Sequence, residues 1–352
     1  MEELKFTPLN DHLNRNTEYT VFASYSVPAH YGDPAAEHTA LTQNAALVDR
    51  SYKPVLRLSG RDPLGMLNAI LTNEVSKTAT AGVYAALLNP KGRIETDLRV
   101  LKSNEDVLID IEPEGAVPAR EILGRYAPFS RVEVEDLSEG DVPWGILGIY
   151  GPHAEELLGG PRLAEHESTE IRVGDTPLLA AGVAVPVPGF DLLGPAEALR
   201  VAMEHLIQAG AKPAGYNAYE TARVAAGIPR FGADITPENF PAEAGILERA
   251  VSFTKGCYPG QETVARMHYR GHPNKTLRRL VVPGPSPEPG QEILQDKNKL
   301  AGPASTGIPV GWITSVAPLP VNGKILALGY LSRKADQDAP LFTKEADILL
   351  AP

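Results

Sequence analysis

The chain has 352 residues, 43% hydrophobic and 22% charged, which is ordinary globular usage and excludes a disordered or fibrous polymer. Lys and Arg total 33 against 44 Asp and Glu, a net charge of −11 that opposes nonspecific attraction to nucleic acid or an anionic membrane. The single cysteine excludes an internal disulfide and any multi-cysteine metal site built by this chain alone. The start, Met1 to Phe6, carries acids where a secretory leader carries bases. The longest apolar run, Leu178 to Val187, is broken by Gly182 and Pro186, well short of the roughly 18 residues that span a bilayer. The expectation is a cytoplasmic protein of two or three compact units, with neither membrane nor nucleic acid as partner.

In chain order, Val55 to Gly60 alternates as a strand, and Asp62-Pro63 then opens a helix through about Leu71. Strands follow at Val83 to Leu88, Glu95 to Leu101 and Val107 to Ile111, with Asn89-Pro90-Lys91-Gly92 turning between the first two. Arg120 to Tyr126 reads as a short helix. Ile146 to Tyr150 begins a second round near residue 145, with a helix from Ala154 to Leu158. Ala196 to Ala209 is amphipathic, with Leu199, Met203, Leu206 and Ile207 on one face and Gly210 as its stop. Asn217 is expected to cap a further helix ending at Gly227. Helices and strands alternate without regular βαβ spacing, so the fold class is α+β. Composition shifts near residue 275, and residues 276–352 read as short strands joined by Pro/Gly turns, a small β-barrel.

The lone cysteine sits in Lys255-Gly256-Cys257-Tyr258-Pro259-Gly260-Gln261-Glu262, a run too polar and too glycine-rich for ordinary core. A lysine two residues before the thiol, and a helix starting near Gly260, favour a thiolate. The plainer reading is a buried cysteine acting as a small hydrophobe. Arg266, His268, Arg270 and His272 make a basic patch suited to a partner's acidic surface or to an anionic ligand. His268 and His272 have a helical metal-pair spacing, but Gly271 and Pro273 interrupt it, so no metal site is expected. Phosphate-binding, dinucleotide, nucleophile-elbow and zinc-protease motifs are absent.

These landmarks, taken together, resemble the aminomethyltransferase (T-protein) superfamily of the glycine cleavage system. The resemblance is carried by Phe22-Ala23-x-x-Ser26-x-Pro28-x-x-Tyr31, Leu58-Ser59-Gly60-x-Asp62, Asn89-Pro90-Lys91-Gly92-Arg93-Ile94-x-x-Asp97-Leu98, Arg223-x-x-Ala226-Gly227-Ile228, Gly232-x-Asp234-Ile235, Thr314-Ser315 and Ala327-x-Gly329-Tyr330. Within it, the Lys255 to Glu262 run resembles the YgfZ-type branch, folate-binding proteins that assist iron-sulfur cluster assembly or repair. The resemblance implies a tetrahydrofolate site within residues 1–275 and a β-barrel from 276 leaning over it. It also implies iron-sulfur assembly or client proteins as partners.

A reduced pterin presents an amino group and a ring N–H that a carboxylate accepts together, so acids are the residues to find. T-proteins carry two adjacent aspartates at the hairpin; here Thr96 holds the first position and Asp97 the second, which argues against aminomethyl transfer. Ala225 stands where T-proteins hold the pterin with glutamate. Glu243, or Glu220 on the preceding helical turn, is the expected substitute. Arg223 pairs with Asp234 or with a folate carboxylate, and Tyr25 or Tyr31 either stacks on the pterin or packs in the core. Three readings follow: a folate-binding iron-sulfur accessory protein with Cys257 as its functional thiol, a folate-dependent aminomethyltransferase using Asp97, and an interaction scaffold that binds no folate.

Overall fold

The computed structural model describes residues 4–9, 17–103, 106–160, 162–296, 307–336 and 339–351; Met1, Glu2 and Glu3 of the acidic start lie outside them. Lys5–Phe6 (β1), Glu18–Phe22 (β2) and Tyr25–His30 (β3) form a three-stranded sheet in the order β1-β3-β2. Helix α1 (Pro34–Gln43) starts at Asp33, whose carboxylate accepts from the Ala36 amide at 3.0 Å. Strand β4 (Ala46–Asp49) then joins a sheet completed by the second half of the chain.

The next stretch builds an antiparallel sheet from β5 (Val55–Gly60), β6 (Val83–Leu88), β7 (Ile94–Lys102), β8 (Val107–Ile111) and β9 (Val132–Asp136), in the order β6-β7-β8-β5-β9. Helices α2 (Pro63–Ile70) and α3 (Ala116–Ser130) cover one face and bury Leu67, Ile70, Ala119 and Leu123 against Leu58, Leu98, Val100 and Ile109. Asp62 caps α2 as the Asp-Pro signal predicts, accepting from the Gly65 amide. Helix α3 is twice as long as the expected Arg120 to Tyr126. Pro118 lies in its first turn, where no amide donor is needed, and Pro128 in its last. Burial of Ala116, Ala119, Leu123 and Ala127 at helical spacing sustains it across both prolines.

The second round gives β10 (Trp144–Tyr150), α4 (Ala154–Leu158), β11 (Ser168–Val173), β12 (Thr176–Val183), β13 (Gly189–Pro195), α5 (Ala196–Gln208) and β14 (Lys212–Pro213). Its sheet runs β11-β12-β13-β10-β4-β14, so β4 sits beside strands far from it in sequence. Helix α6 (Tyr216–Ala226) ends at Gly227 in the left-handed conformation, as predicted. Its N-cap is Gly215, not Asn217, which lies inside the helix. Glu37 of α1 accepts from the Gly215 amide at 2.9 Å, so a tertiary carboxylate occupies the place where a local cap was expected.

After α7 (Leu247–Ala250) and α8 (Gln261–Arg270), the chain forms a closed antiparallel barrel. Its strands are β15 (Lys275–Val282), β16 (Glu292–Gln295), β17 (Ile308–Val316), β18 (Ile325–Ser332), β19 (Leu341–Phe342) and β20 (Asp347–Leu350), and closure removes the sheet edges. The α+β architecture with a C-terminal β-barrel is therefore as expected. No helix among the described residues is long and apolar enough to cross a membrane. The five- and six-stranded sheets meet through Val55, Leu101 and Leu108 on one side and Ile146, Leu179 and Leu193 on the other. The barrel seats on α6 through Val224, Ala317 and Leu328.

Candidate functional site

Strand alternation on β7 decides what the hairpin motif offers. Thr96, Leu98 and Val100 point to the helix-covered core, while Asp97, Arg99 and Leu101 point to the six-stranded sheet. Thr96 is fully buried, with its hydroxyl donating to the Asp97 carbonyl and its side chain against Gly115. It does not face the site at all.

Where the two sheets part, a cleft of about 930 Å³ of open space, solvent at its mouth included, lies between them, α6 and α7. Its walls bring Tyr52, Tyr84, Tyr216 and Tyr219 together with Arg50, Lys53, Arg99, Arg223, Arg230 and Arg249, and with Asp97, Asp110, Glu112, Glu165 and Glu220. Most of these charges are spent on one another. Arg99 donates to Asp110 at 2.6 Å and also to Asp191 on β13, which Arg50 and Tyr150 share. Lys53 sits 2.6 Å from Asp110 and 3.2 Å from Glu112. Burial pushes the Asp110 carboxyl up, but the Arg99 and Lys53 charges more than reverse it and hold the group well below the usual carboxylate range. Glu220 takes Arg223 in a fork at 2.7 and 2.8 Å. Arg223 also reaches Asp234 at 2.7 Å and Ser315 of the barrel at 2.8 Å.

Asp97 differs from Asp110, Glu112 and Glu220 in sitting in no ion pair among the described residues, although Glu112 Oε2 also lacks a hydrogen-bond partner. One carboxylate oxygen accepts from the Tyr84 hydroxyl; the other is buried without a partner. Burial lifts its pKa to about 6, with the Tyr84 hydrogen bond opposing and the Glu112 charge reinforcing the rise. It is a desolvated carboxyl with an open acceptor, placed among flat rings.

Of the residues chosen from sequence, Asp97, Glu220 and Arg223 share this cleft. Tyr31 lies behind the wall of Tyr52, Tyr216 and Tyr219, in a separate small cavity, and Tyr25 lines another hollow beside Arg120 and Trp144. Glu243 is outside the cleft: its side chain accepts from the Phe240 amide, closing its own turn, and its carbonyl accepts from Leu277 of β15. Ala225 is also outside, because Tyr216, Glu220 and Arg223 occupy the cleft face of α6, whereas the Ala225 carbonyl accepts from Arg279 of the barrel. Sequence reasoning missed Tyr84, Glu112, His166 and Arg249. The register of the β6–β7 hairpin carried a signal for Tyr84, since it puts Ala86 opposite Asp97 and Tyr84 on the diagonal.

Cys257 is exposed and does not line the cleft. The Lys255 ammonium donates to the carbonyls of Asn68 and Leu71 at the end of α2, both at 2.5 Å. Burial pulls the pKa of Lys255 down to about 8, against the pull of Glu74. Tyr258 anchors the loop in the core beside Val264, and α8 starts at Gln261 with Glu262 in its first turn. Gly260, at φ +82°, lies against the hairpin turn: a Cβ there would meet the Asn89 carbonyl at 2.6 Å and Gly92 Cα at 2.8 Å. Gly256, by contrast, has open space around it. The hairpin motif and the cysteine motif thus touch, glycine against glycine. Helix α8 ends at Arg270, with His268 stacked on Phe253 at 4.1 Å and His272 past its end.

The family model described as GCVT N-terminal domain matches residues 9–255. An aminomethyltransferase of Caldanaerobacter subterraneus is 28% identical over 324 residues, covering 87% of this chain and 85% of the relative. One from Ralstonia pickettii is 30% identical over 265 residues, 69% of this chain and 70% of the relative. The crystal structure of glycine cleavage system aminomethyltransferase T from Bartonella henselae superposes with a TM-score of 0.85 at 20% identity, covering 99% of this chain and 97% of that one.

Proposed function

Because the chain belongs to the GCVT N-terminal domain family of the T-protein superfamily, we propose that its central cleft binds tetrahydrofolate or a one-carbon derivative of it. The observation that carries this reading is the buried Asp97 oxygen without a donor. A reduced pterin supplies an amino group and a ring N–H for it, flat faces for the tyrosines, and carboxylates for the cleft's arginines.

The Lys255 to Glu262 run supports the YgfZ-type branch, an accessory role in iron-sulfur cluster assembly or repair. An exposed thiol on a loop fastened to the folate hairpin is open to a partner protein. A second reading, aminomethyl transfer to tetrahydrofolate, is favoured by the relatives named aminomethyltransferase and by Thr96, whose burial on the far face of β7 removes nothing from the cleft.

Calorimetric titration with tetrahydrofolate tests the common part: binding by the parent protein, weakened about tenfold or more in Asp97→Asn, is expected. No binding at millimolar ligand would leave the scaffold reading instead. Turnover of an aminomethylated lipoyl carrier to methylenetetrahydrofolate and ammonia selects the transferase. Absence of turnover, with iron-sulfur enzyme activities lost in cells carrying Cys257→Ser at normal protein level, selects the accessory role.

A further inference from the structure

His166 sits in the turn before β11 with φ +67°, a region uncommon outside glycine that histidine tolerates better than most residues. The frame holds it there. The His166 amide donates to Gly182 of β12 at 2.9 Å, the Gly82 amide beside β6 donates to the His166 carbonyl at 2.8 Å, and the Gly182 amide donates to Glu167 at 2.8 Å. Both sheets therefore fix the turn, so the side chain is held in place at the cleft wall.

The imidazole lines the cleft that holds Asp97. Its Nδ1 is buried without a hydrogen-bond partner, and its Nε2 lies 3.8 Å from a Glu165 oxygen. Glu165 in turn pairs with Arg249 at 2.6 Å, Arg249 lies over the Tyr84 ring at 5.3 Å, and Tyr84 donates to Asp97. One connected wall thus joins His166 to Asp97. Burial, and next the Arg99 charge, push the imidazole pKa down to about 4, so the ring is neutral at physiological pH. A neutral imidazole has one N–H and one lone pair, and the Glu165 carboxylate favours the proton on Nε2. Nδ1 is then a bare acceptor. Asp97 Oδ1, Glu112 Oε2 and His166 Nδ1 are buried in the cleft wall without a donor, and the Nε–H groups of Arg50 and Arg230 without an acceptor.

We propose that His166 is a specificity-determining residue of the cleft, its Nδ1 accepting a hydrogen bond from an N–H of the ligand bound at Asp97. This rests on the folate reading and deepens it: His166 selects a heterocycle with an N–H at that point of the ring, such as an amino-substituted reduced pterin, while the unmet Nε–H groups of Arg50 and Arg230 suit acceptors elsewhere on the same ligand.

Calorimetric titration of the full chain with tetrahydrofolate tests this in three forms. His166→Gly removes the imidazole while keeping the left-handed backbone at no steric cost, and His166→Asn keeps both that backbone and an acceptor. The expected result is affinity about tenfold weaker for the glycine variant and within about threefold of the parent for asparagine. Parent-like affinity in His166→Gly, or equal weakening in both variants, overturns the role of His166 and leaves the folate reading standing. No binding by the parent overturns the folate reading and this inference with it. Nitrogen NMR of histidine-labelled parent protein needs no folded variant. The His166 Nδ1 resonance, in the lone-pair range in the free protein, is expected to move upfield with added tetrahydrofolate, and a stationary resonance in bound protein rejects the contact.

Discussion

At Asp97, burial and hydrogen bonding act in opposite directions, and burial wins. Its carboxyl titrates near 6 in the folded protein against 3.8 in the reference state, so the folded form holds a proton over a window in which the unfolded chain has released it. Stability from this group is present below about pH 4 and is lost as pH rises through 6, the reverse of a salt-bridged carboxylate such as Asp110. Asp97→Asn keeps an acceptor for Tyr84 and removes the buried charge. The variant is expected to match the parent near pH 4 and to exceed it by about 1–3 kcal/mol at pH 7, while losing folate affinity. Urea unfolding at both pH values checks this, and a variant no more stable at pH 7 would show that the carboxylate is satisfied in a way the orphan oxygen denies. The residue itself was legible because it closes a recognisable hairpin motif. What makes it unusual was not, because Tyr84, Glu112 and Lys53 become its neighbours only when three strands pair.

Elements whose ends are set locally were legible from the chain, and those set by tertiary contacts were not. Asp62-Pro63 starts α2 and the Asn89 to Gly92 turn joins β6 to β7 because each signal is satisfied within a few residues. The N-terminus of α6 is completed by Glu37, and α3 is held by buried alanines and Leu123 across its prolines, so local rules misplaced the first boundary and cut the second helix short. The cysteine loop belongs to the second kind. Its polar sequence marked it as functional, yet its position comes from Gly260 lying on Gly92, a contact between two turns. Gly260→Ala forces a side chain into the left-handed region and into the Asn89 carbonyl, which is expected to destabilise the loop by about 1–3 kcal/mol. Hydrogen exchange should rise from Tyr258 to Val264 and stay unchanged in the barrel; unchanged protection at Tyr258 would mean that its burial alone fixes the loop.

For the whole molecule, the cleft is assembled from residues between Arg50 and Arg249, on both sheets and two helices, so no window of sequence announces it. The barrel reaches it through a hub at Asp234. Asp234 accepts from Arg223, from the Arg230 amide and from the hydroxyls of Thr314 and Ser315, and its carbonyl takes the Tyr330 hydroxyl at 2.9 Å. The same Arg223 forks onto Glu220 in the cleft wall. Barrel seating and cleft geometry are therefore one network of largely buried groups, in which removing one partner leaves a buried charge short of its counter-ion. Asp234→Ala is expected to lower stability by about 3–5 kcal/mol, to speed proteolysis between α8 and β15, and to weaken tetrahydrofolate binding although Asp234 does not line the cleft. Asp234→Asn, which keeps acceptors but loses the charge, should fall between the two. If Asp234→Ala loosens the barrel yet binds folate as the parent does, then Glu220 alone holds Arg223 in place, and the barrel is a lid seated on the cleft wall rather than part of it.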